Sequence, residues 1–130
     1  VNNADEIRRV LDLYTFVVDA SEWDRLAEVM TADAEFVVRG TPVSIRGLDD
    51  IAALLQRVSP RPLAHLTTNV LLDDETTSGM VRARSKVFTP KPDGTAGIAM
   101  YEDTLIRTPN GWRINSHIVE QIARAWPGGL

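Results

Sequence analysis

A small set of side chains in this sequence has the chemistry to move protons: His65, His117, Asp19, Asp103, Tyr14 and Tyr101. An imidazole changes charge near neutral pH. A carboxylate accepting from one ring nitrogen fixes the tautomer and leaves the other nitrogen free to take or return a proton. A tyrosine hydroxyl, or a carboxylic acid kept neutral by burial, can stabilise charge developing on a substrate oxygen. Asp103 lies between Tyr101 and Leu105, a place that suits a carboxylate only if it is neutral or paired, with Arg82, Arg84 and Arg113 as the expected partners. Cysteine is absent, which excludes disulfides, thiol nucleophiles and thiolate metal ligands. The two histidines share no HxH or HxxxH spacing. Neither a metal nor another cofactor is expected.

These residues need elements to hold them. Asn3, followed by Asp5 and Glu6, reads as a helix N-cap with acidic residues in the first turn. Ile7, Val10, Leu11, Tyr14, Val17 and Val18 recur at three- and four-residue steps, which predicts one buried helix face. Asp19 then falls at the negative pole of that helix, against the local dipole. Ser21 and Glu22 open a second predicted helix through Trp23, Leu26 and Met30 to about Thr31. Short strands at 35–39 and 43–46 flank the turn Gly40-Thr41-Pro42. A third helix follows Asp49 or Asp50, with Ile51, Leu54, Leu55 and Val58 apolar, and Pro60 and Pro62 stop it.

From Leu63 onward the pattern is of strands, at 63–73, 76–88, 96–108 and 112–122. Asp74-Glu75 and Pro109-Asn110-Gly111 supply turns, and the end of the chain reads as loose, with Trp126 available as an anchor. Helices first and a four-stranded antiparallel meander after them make a single α+β domain over 1–130. A strongly curved sheet with helices on one side encloses a pocket. Strict alternation places Tyr101, Asp103 and Leu105 on one face of their strand, and Arg113, Asn115, His117 and Val119 on one face of the last. Arg82, Arg84 and Lys86 alternate along a solvated or interfacial face, while Trp23 and Trp112 read as core.

Composition narrows the function classes. The chain has 130 residues, 44% of them hydrophobic and 25% charged, which is ordinary for a globular domain with its own core. A formal net charge of −4 gives no support to nucleic acid or an anionic membrane as partner. No apolar stretch is long enough to span a bilayer and no secretory leader is visible. A cytoplasmic location is expected.

Several segments together carry a resemblance. They are Tyr14, the run Asp19-Ala20-Ser21-Glu22-Trp23-Asp24-Arg25-Leu26, Thr31-Ala32-Asp33-Ala34-Glu35-Phe36, and Arg46-Gly47-Leu48-Asp49-Asp50-Ile51. His65-Leu66-Thr67-Thr68-Asn69, Tyr101-Glu102-Asp103-Thr104-Leu105 and Gly111-Trp112-Arg113-Ile114 complete them. Over nearly its whole length the chain resembles the SnoaL-like group of polyketide cyclases, dehydratases and isomerases within the nuclear transport factor 2-like superfamily. The resemblance implies a cone-shaped α+β barrel: N-terminal helices packed on a strongly curved, mostly antiparallel sheet around a pocket. In the comparison with scytalone dehydratases, His65 falls on the catalytic histidine and Asp19 on the aspartate that pairs with it. A second pocket histidine falls on Val87, and a water-positioning tyrosine on Val38. In the comparison with ketosteroid isomerases, Tyr14 falls on the oxyanion-donor tyrosine, Asp103 on or beside a protonated aspartic acid, and the general-base aspartate on Val38. His117 falls on a pocket-facing position in both.

The reading that follows is a cofactor-independent lyase or isomerase acting on a hydrophobic oxygenated ring compound, such as a polyketide or steroid. His65 is its acid or base, Asp19 the orienter, and Tyr14 and Asp103 the donors. His117, Tyr101, Val38 and Val87 contact substrate, and a homodimer, or else a trimer, is expected. Two alternatives stay open: an epoxide hydrolase, and a non-catalytic ligand-binding or structural domain.

Overall fold

The computed structural model describes residues 2–73 and 79–122. The expected turn at Asp74-Glu75 and the anchor Trp126 lie outside them. Helix α1 spans Asn3–Asp19, and its N-cap is Asn2, one residue earlier than expected, whose side-chain oxygen accepts from the Asp5 N–H at 2.8 Å. Its apolar face is the predicted one, with Ile7, Val10, Leu11, Tyr14, Val17 and Val18 all buried. The second predicted helix is a short 3₁₀ segment, Trp23–Glu28. It stops there because the Val29 carbonyl already accepts from the Ile114 N–H at 2.8 Å, so the chain has joined the sheet.

Strand β1 (Met30–Val38) therefore starts earlier than its sequence pattern suggests, and β2 (Ser44–Arg46) pairs with it in antiparallel fashion. Helix α2 (Leu48–Gln56) begins after Gly47, whose φ of 100° only glycine adopts without strain. Then come β3 (Leu66–Leu72), β4 (Met80–Pro90), β5 (Ala96–Thr108) and β6 (Gly111–Gln121).

The strands form one six-stranded sheet in the order β2-β1-β6-β5-β4-β3. The predicted antiparallel meander is its β3-to-β6 part, and β1 adds to β6 in parallel. The sheet is open, with β2 and β3 at its edges, so the cone is not a closed barrel. Among the described residues no helix is long and apolar enough to cross a membrane.

Bulges decide which side chains face inward. Between the pairs Thr104↔Ser116 and Leu105↔Ile114, β6 carries the extra residue Asn115. A bulge of this kind resets the alternation. Trp112 and Ile114 consequently point into the core together with His117. Strict alternation from Arg113 to Val119 fails at this residue. A second irregularity in β3, between Thr68 and Leu71, contains Asn69 at φ 54°, a conformation asparagine tolerates better than most residues. Along β4 the alternation is regular, so Val81, Ala83, Ser85 and Val87 face inward while Arg82, Arg84 and Lys86 are exposed.

The core fills the space between α1 and the inner face of the sheet, with Leu105, Trp112 and Ile114 fully enclosed. Each such side chain contributes roughly 1.5–3 kcal/mol of burial free energy. The Trp112 indole N–H also donates to Asn3 Oδ1 at 3.2 Å, which fixes the start of α1 on β6. Ile114→Ala should cost about 2–5 kcal/mol of unfolding free energy, measured by urea denaturation with an unchanged m-value. The exposed Arg82→Ala should stay within about 0.5 kcal/mol of the parent.

Candidate active site

The site is assembled from both ends of the fold. Asp19 is the last residue of α1, and His65 directly precedes β3. Asp19 Oδ1 lies 2.5 Å from His65 Nδ1, and Asp19 Oδ2 accepts from the His65 backbone N–H at 2.9 Å. Both carboxylate oxygens thus grip one residue. With the carboxylate ionised and the imidazole neutral, Nδ1 donates in this contact and Nε2 is the nitrogen with the free lone pair. The side chains are 20% and 25% exposed, so the pair is reachable by solvent and ligand.

Asp19 occupies the negative pole of α1, and no basic residue lies in the last turn of that helix. The compensation comes from elsewhere. Arg61 donates to the Val18 carbonyl at 2.9 Å and to Ser21 Oγ at 2.6 Å, and its guanidinium lies 5.8 Å from the Trp23 ring centre. A cation satisfying the last carbonyls of a helix offsets its dipole. Arg61 also ties the loop that carries His65 to the helix that carries Asp19. The sequence reading missed Arg61; its position between Pro60 and Pro62, in a loop with no other cation after Arg57, is the only signal it gives.

His65 opens onto a cavity of about 460 Å³. Tyr14 and Tyr101 line its inner end. Val38, Val43, Leu54, Leu55 and Val119 supply apolar wall from β1, β2's approach, α2 and β6. Tyr14 is held well above the ordinary phenol range, first by burial and then by the nearby Tyr101, Asp103 and Asp19. Tyr101 is raised by burial, then by Asp103 and Asp19. Both hydroxyls therefore stay protonated through the neutral range and are available as donors. No carboxylate lines the cavity among the described residues.

Behind the tyrosines lies a second histidine–carboxylate pair. His117 Nδ1 is 2.5 Å from Asp103 Oδ1, and both side chains are 1% exposed. Asp103 is thus paired with the neighbouring strand's imidazole rather than with Arg82, Arg84 or Arg113; Arg82 and Arg84 lie on the outer face, and Arg113 precedes the bulge that turns His117 inward. The imidazole is packed by Tyr101, Tyr14 and Phe36, with ring centres at 4.3, 4.8 and 5.3 Å. Its Nε2 is buried with no partner.

The predicted residues therefore separate into groups. Asp19 and His65 meet, and His65, Tyr14, Tyr101 and Val38 share the cavity. Asp103 and His117 meet each other one layer deeper, outside the cavity lining. Val87 is buried in β4 between Thr67 and Ala99 and does not line the cavity, so it offers no surface to a ligand there. Lys91, which sequence reasoning did not single out, does line it. The described residues contain no cluster of potential metal ligands.

Comparison with known proteins agrees with this architecture. A nuclear transport factor 2-like protein with a cystatin-like fold from Novosphingobium aromaticivorans is 25% identical, with a TM-score of 0.75 over 95% of this chain and 84% of its own. A candidate scytalone dehydratase from the same organism is 18% identical, with a TM-score of 0.74, covering 92% of this chain and 84% of its own. LinA is 19% identical, with a TM-score of 0.77, covering 98% and 90%. At such identities the last two speak for the fold alone. No curated protein sequence matches the chain. The SnoaL-like domain model matches residues 1–117, and the chain belongs to the SnoaL-like family.

Proposed function

We propose that this protein is a cofactor-independent acid–base enzyme, a dehydratase, isomerase or cyclase, acting on a hydrophobic oxygenated ring compound. The observation that carries the reading is the Asp19–His65 pair opening onto an apolar cavity with two protonated tyrosine hydroxyls at its inner end. In this scheme His65 Nε2 removes a proton adjacent to a substrate carbonyl, or from a carbon bearing a leaving hydroxyl on its neighbour. Asp19 holds the ring and balances the imidazolium that forms. Tyr14 or Tyr101 donates to the oxygen on which charge develops, where exclusion of water strengthens the bond. Return of the proton from His65 to a different carbon completes an isomerisation; its delivery to the departing hydroxyl, which leaves as water while the carbon–carbon double bond forms, completes a dehydration. Asp103, engaged with His117, serves in this scheme by supporting the tyrosines from behind instead of donating to substrate.

Epoxide hydrolysis by a carboxylate–arginine–carboxylate group is disfavoured, since neither an arginine nor a carboxylate lines the cavity among the described residues. A non-catalytic ligand-binding domain has no need of a carboxylate gripping both the ring and the backbone of one histidine. A small hydrophobic molecule is the proposed partner. A second copy is the other, because Leu66, Phe88 and Ile98 stand opposite one another across β3, β4 and β5 and are all exposed.

The simplest activity probe is hydrogen–deuterium exchange at the α-carbon of 2-tetralone in D₂O, followed by NMR. The wild type should accelerate exchange over buffer. His65→Ala should remove about 10²–10⁴-fold of it, and Asp19→Asn a smaller part, with both variants keeping the parent circular dichroism spectrum. Equal exchange in all three proteins would refute the dyad.

Both tyrosines of the chain are buried with raised phenols. Their ionisation opposes the native state: above about pH 10 the unfolded chain loses these protons while the folded chain keeps them, so stability falls as pH rises. Phenolate absorbance should therefore appear together with the loss of near-ultraviolet circular dichroism, not before it. Light scattering at micromolar concentration should give the mass of two chains, or of three; a monomer would remove the proposed self-association.

A further inference from the structure

The mouth of the cavity has a charge that the proton-transfer scheme does not use. Beyond Val87, the inward row of β4 continues through Thr89 to Lys91 just past its end, and both line the cavity. Facing them on β5 is Gly97, paired with Thr89 in the register. A Cβ at Gly97 would sit 2.6 Å from Thr89 Oγ1 and 4.0 Å from Lys91 Cε. The missing side chain is what lets the threonine hydroxyl and the lysine stem lie along this wall. The Lys91 backbone is fixed as well. Its N–H donates to the Thr95 carbonyl at 2.9 Å, and its carbonyl accepts from the Gly94 N–H at 3.1 Å.

Lys91 is half-buried, and no described carboxylate forms an ion pair with it. Asp93, the acid nearest in sequence, feels the Lys91 charge, but its carboxylate is engaged by the Thr95 N–H at 2.9 Å and the Thr95 hydroxyl at 2.7 Å and makes no direct ion pair with the lysine. Among the lining residues Lys91 is the sole side chain with a permanent charge, in a protein whose net charge is −4. An isolated lysine on a surface is ordinarily just solvated, with its stem on apolar neighbours. Here the ammonium borders an apolar hollow in which an opposite charge would be poorly screened and strongly attracted.

We propose that the cavity selects apolar ring compounds carrying a carboxylate, with Lys91 pairing with the carboxylate at the mouth and Thr89 Oγ1 donating to it. The ring then extends inward past His65 toward Tyr14 and Tyr101. This inference rests on the cavity being the ligand site, as the proposed function requires, and adds the charge class of the ligand. Lys91 is a specificity-determining residue in this arrangement, and the proton transfer remains with His65.

Isothermal titration of 2-naphthoate and 2-naphthamide, which share a ring system and differ in charge, tests it. At low ionic strength the wild type should bind the naphthoate at least about tenfold more tightly, and the preference should shrink as salt is added. Lys91→Met should abolish the preference by weakening naphthoate far more than naphthamide, and Thr89→Val should reduce it in part. Equal binding of the two probes, or a preference that survives Lys91→Met, overturns the assignment of Lys91 and leaves the cavity reading standing. Binding of neither probe overturns both.

Discussion

The docking of α1 across the inner face of the sheet is the constraint on which the rest depends. The helix has 17 residues, about 25 Å at 1.5 Å per residue. Its apolar face covers Leu105, Trp112 and Ile114, which would otherwise be wet. Polar contacts pin it near both ends: Asn3 to the Trp112 indole at the start, and Asp19 to His65 at the finish. Because the second of these pins is also the candidate acid–base pair, the geometry of the site is inherited from the packing of the core. A helix shifted by one turn would bring neither Tyr14 to the cavity nor Asp19 to the imidazole.

Two histidine–carboxylate pairs of nearly the same geometry sit in this fold, and burial sets them apart. The Asp19–His65 pair is 20–25% exposed, and its imidazole lines the cavity. The Asp103–His117 pair is 1% exposed, enclosed by Tyr14, Tyr101 and Phe36, and its Nε2 has no partner. A buried polar atom left without a hydrogen bond costs about 1–3 kcal/mol. The neighbouring burial of Phe36, Tyr14 and Ile114 sets this cost against a well-filled interior. The deep pair packs directly against both tyrosine rings.

Family membership and fold do not select the reaction, since this architecture hosts many chemistries. The selection has to come from the cavity. At Val38 the sequence resemblance implies a tyrosine in one group and a general-base aspartate in another; in this chain the residue is part of the cavity's apolar wall. Val87, where the resemblance puts a pocket histidine, is buried in the core. His65 is the one imidazole that lines the cavity among the described residues.

The sequence alone determined the class of the fold, the buried face of α1 and the regular alternation of β4, because each is a short-range period repeated over many residues. It also marked His65 and Asp19, through the resemblance to scytalone dehydratases and the chemistry open to an imidazole beside a carboxylate. Tertiary structure decided the rest. The extra residue Asn115 in β6 turned His117 inward, and a bulge leaves no periodic trace in a sequence. The pairing of Asp103 with His117, the parallel addition of β1 and the bond from Arg61 to the end of α1 all join residues far apart in the chain. Such contacts are fixed by which surfaces must be buried together, and no local pattern of residue types encodes them.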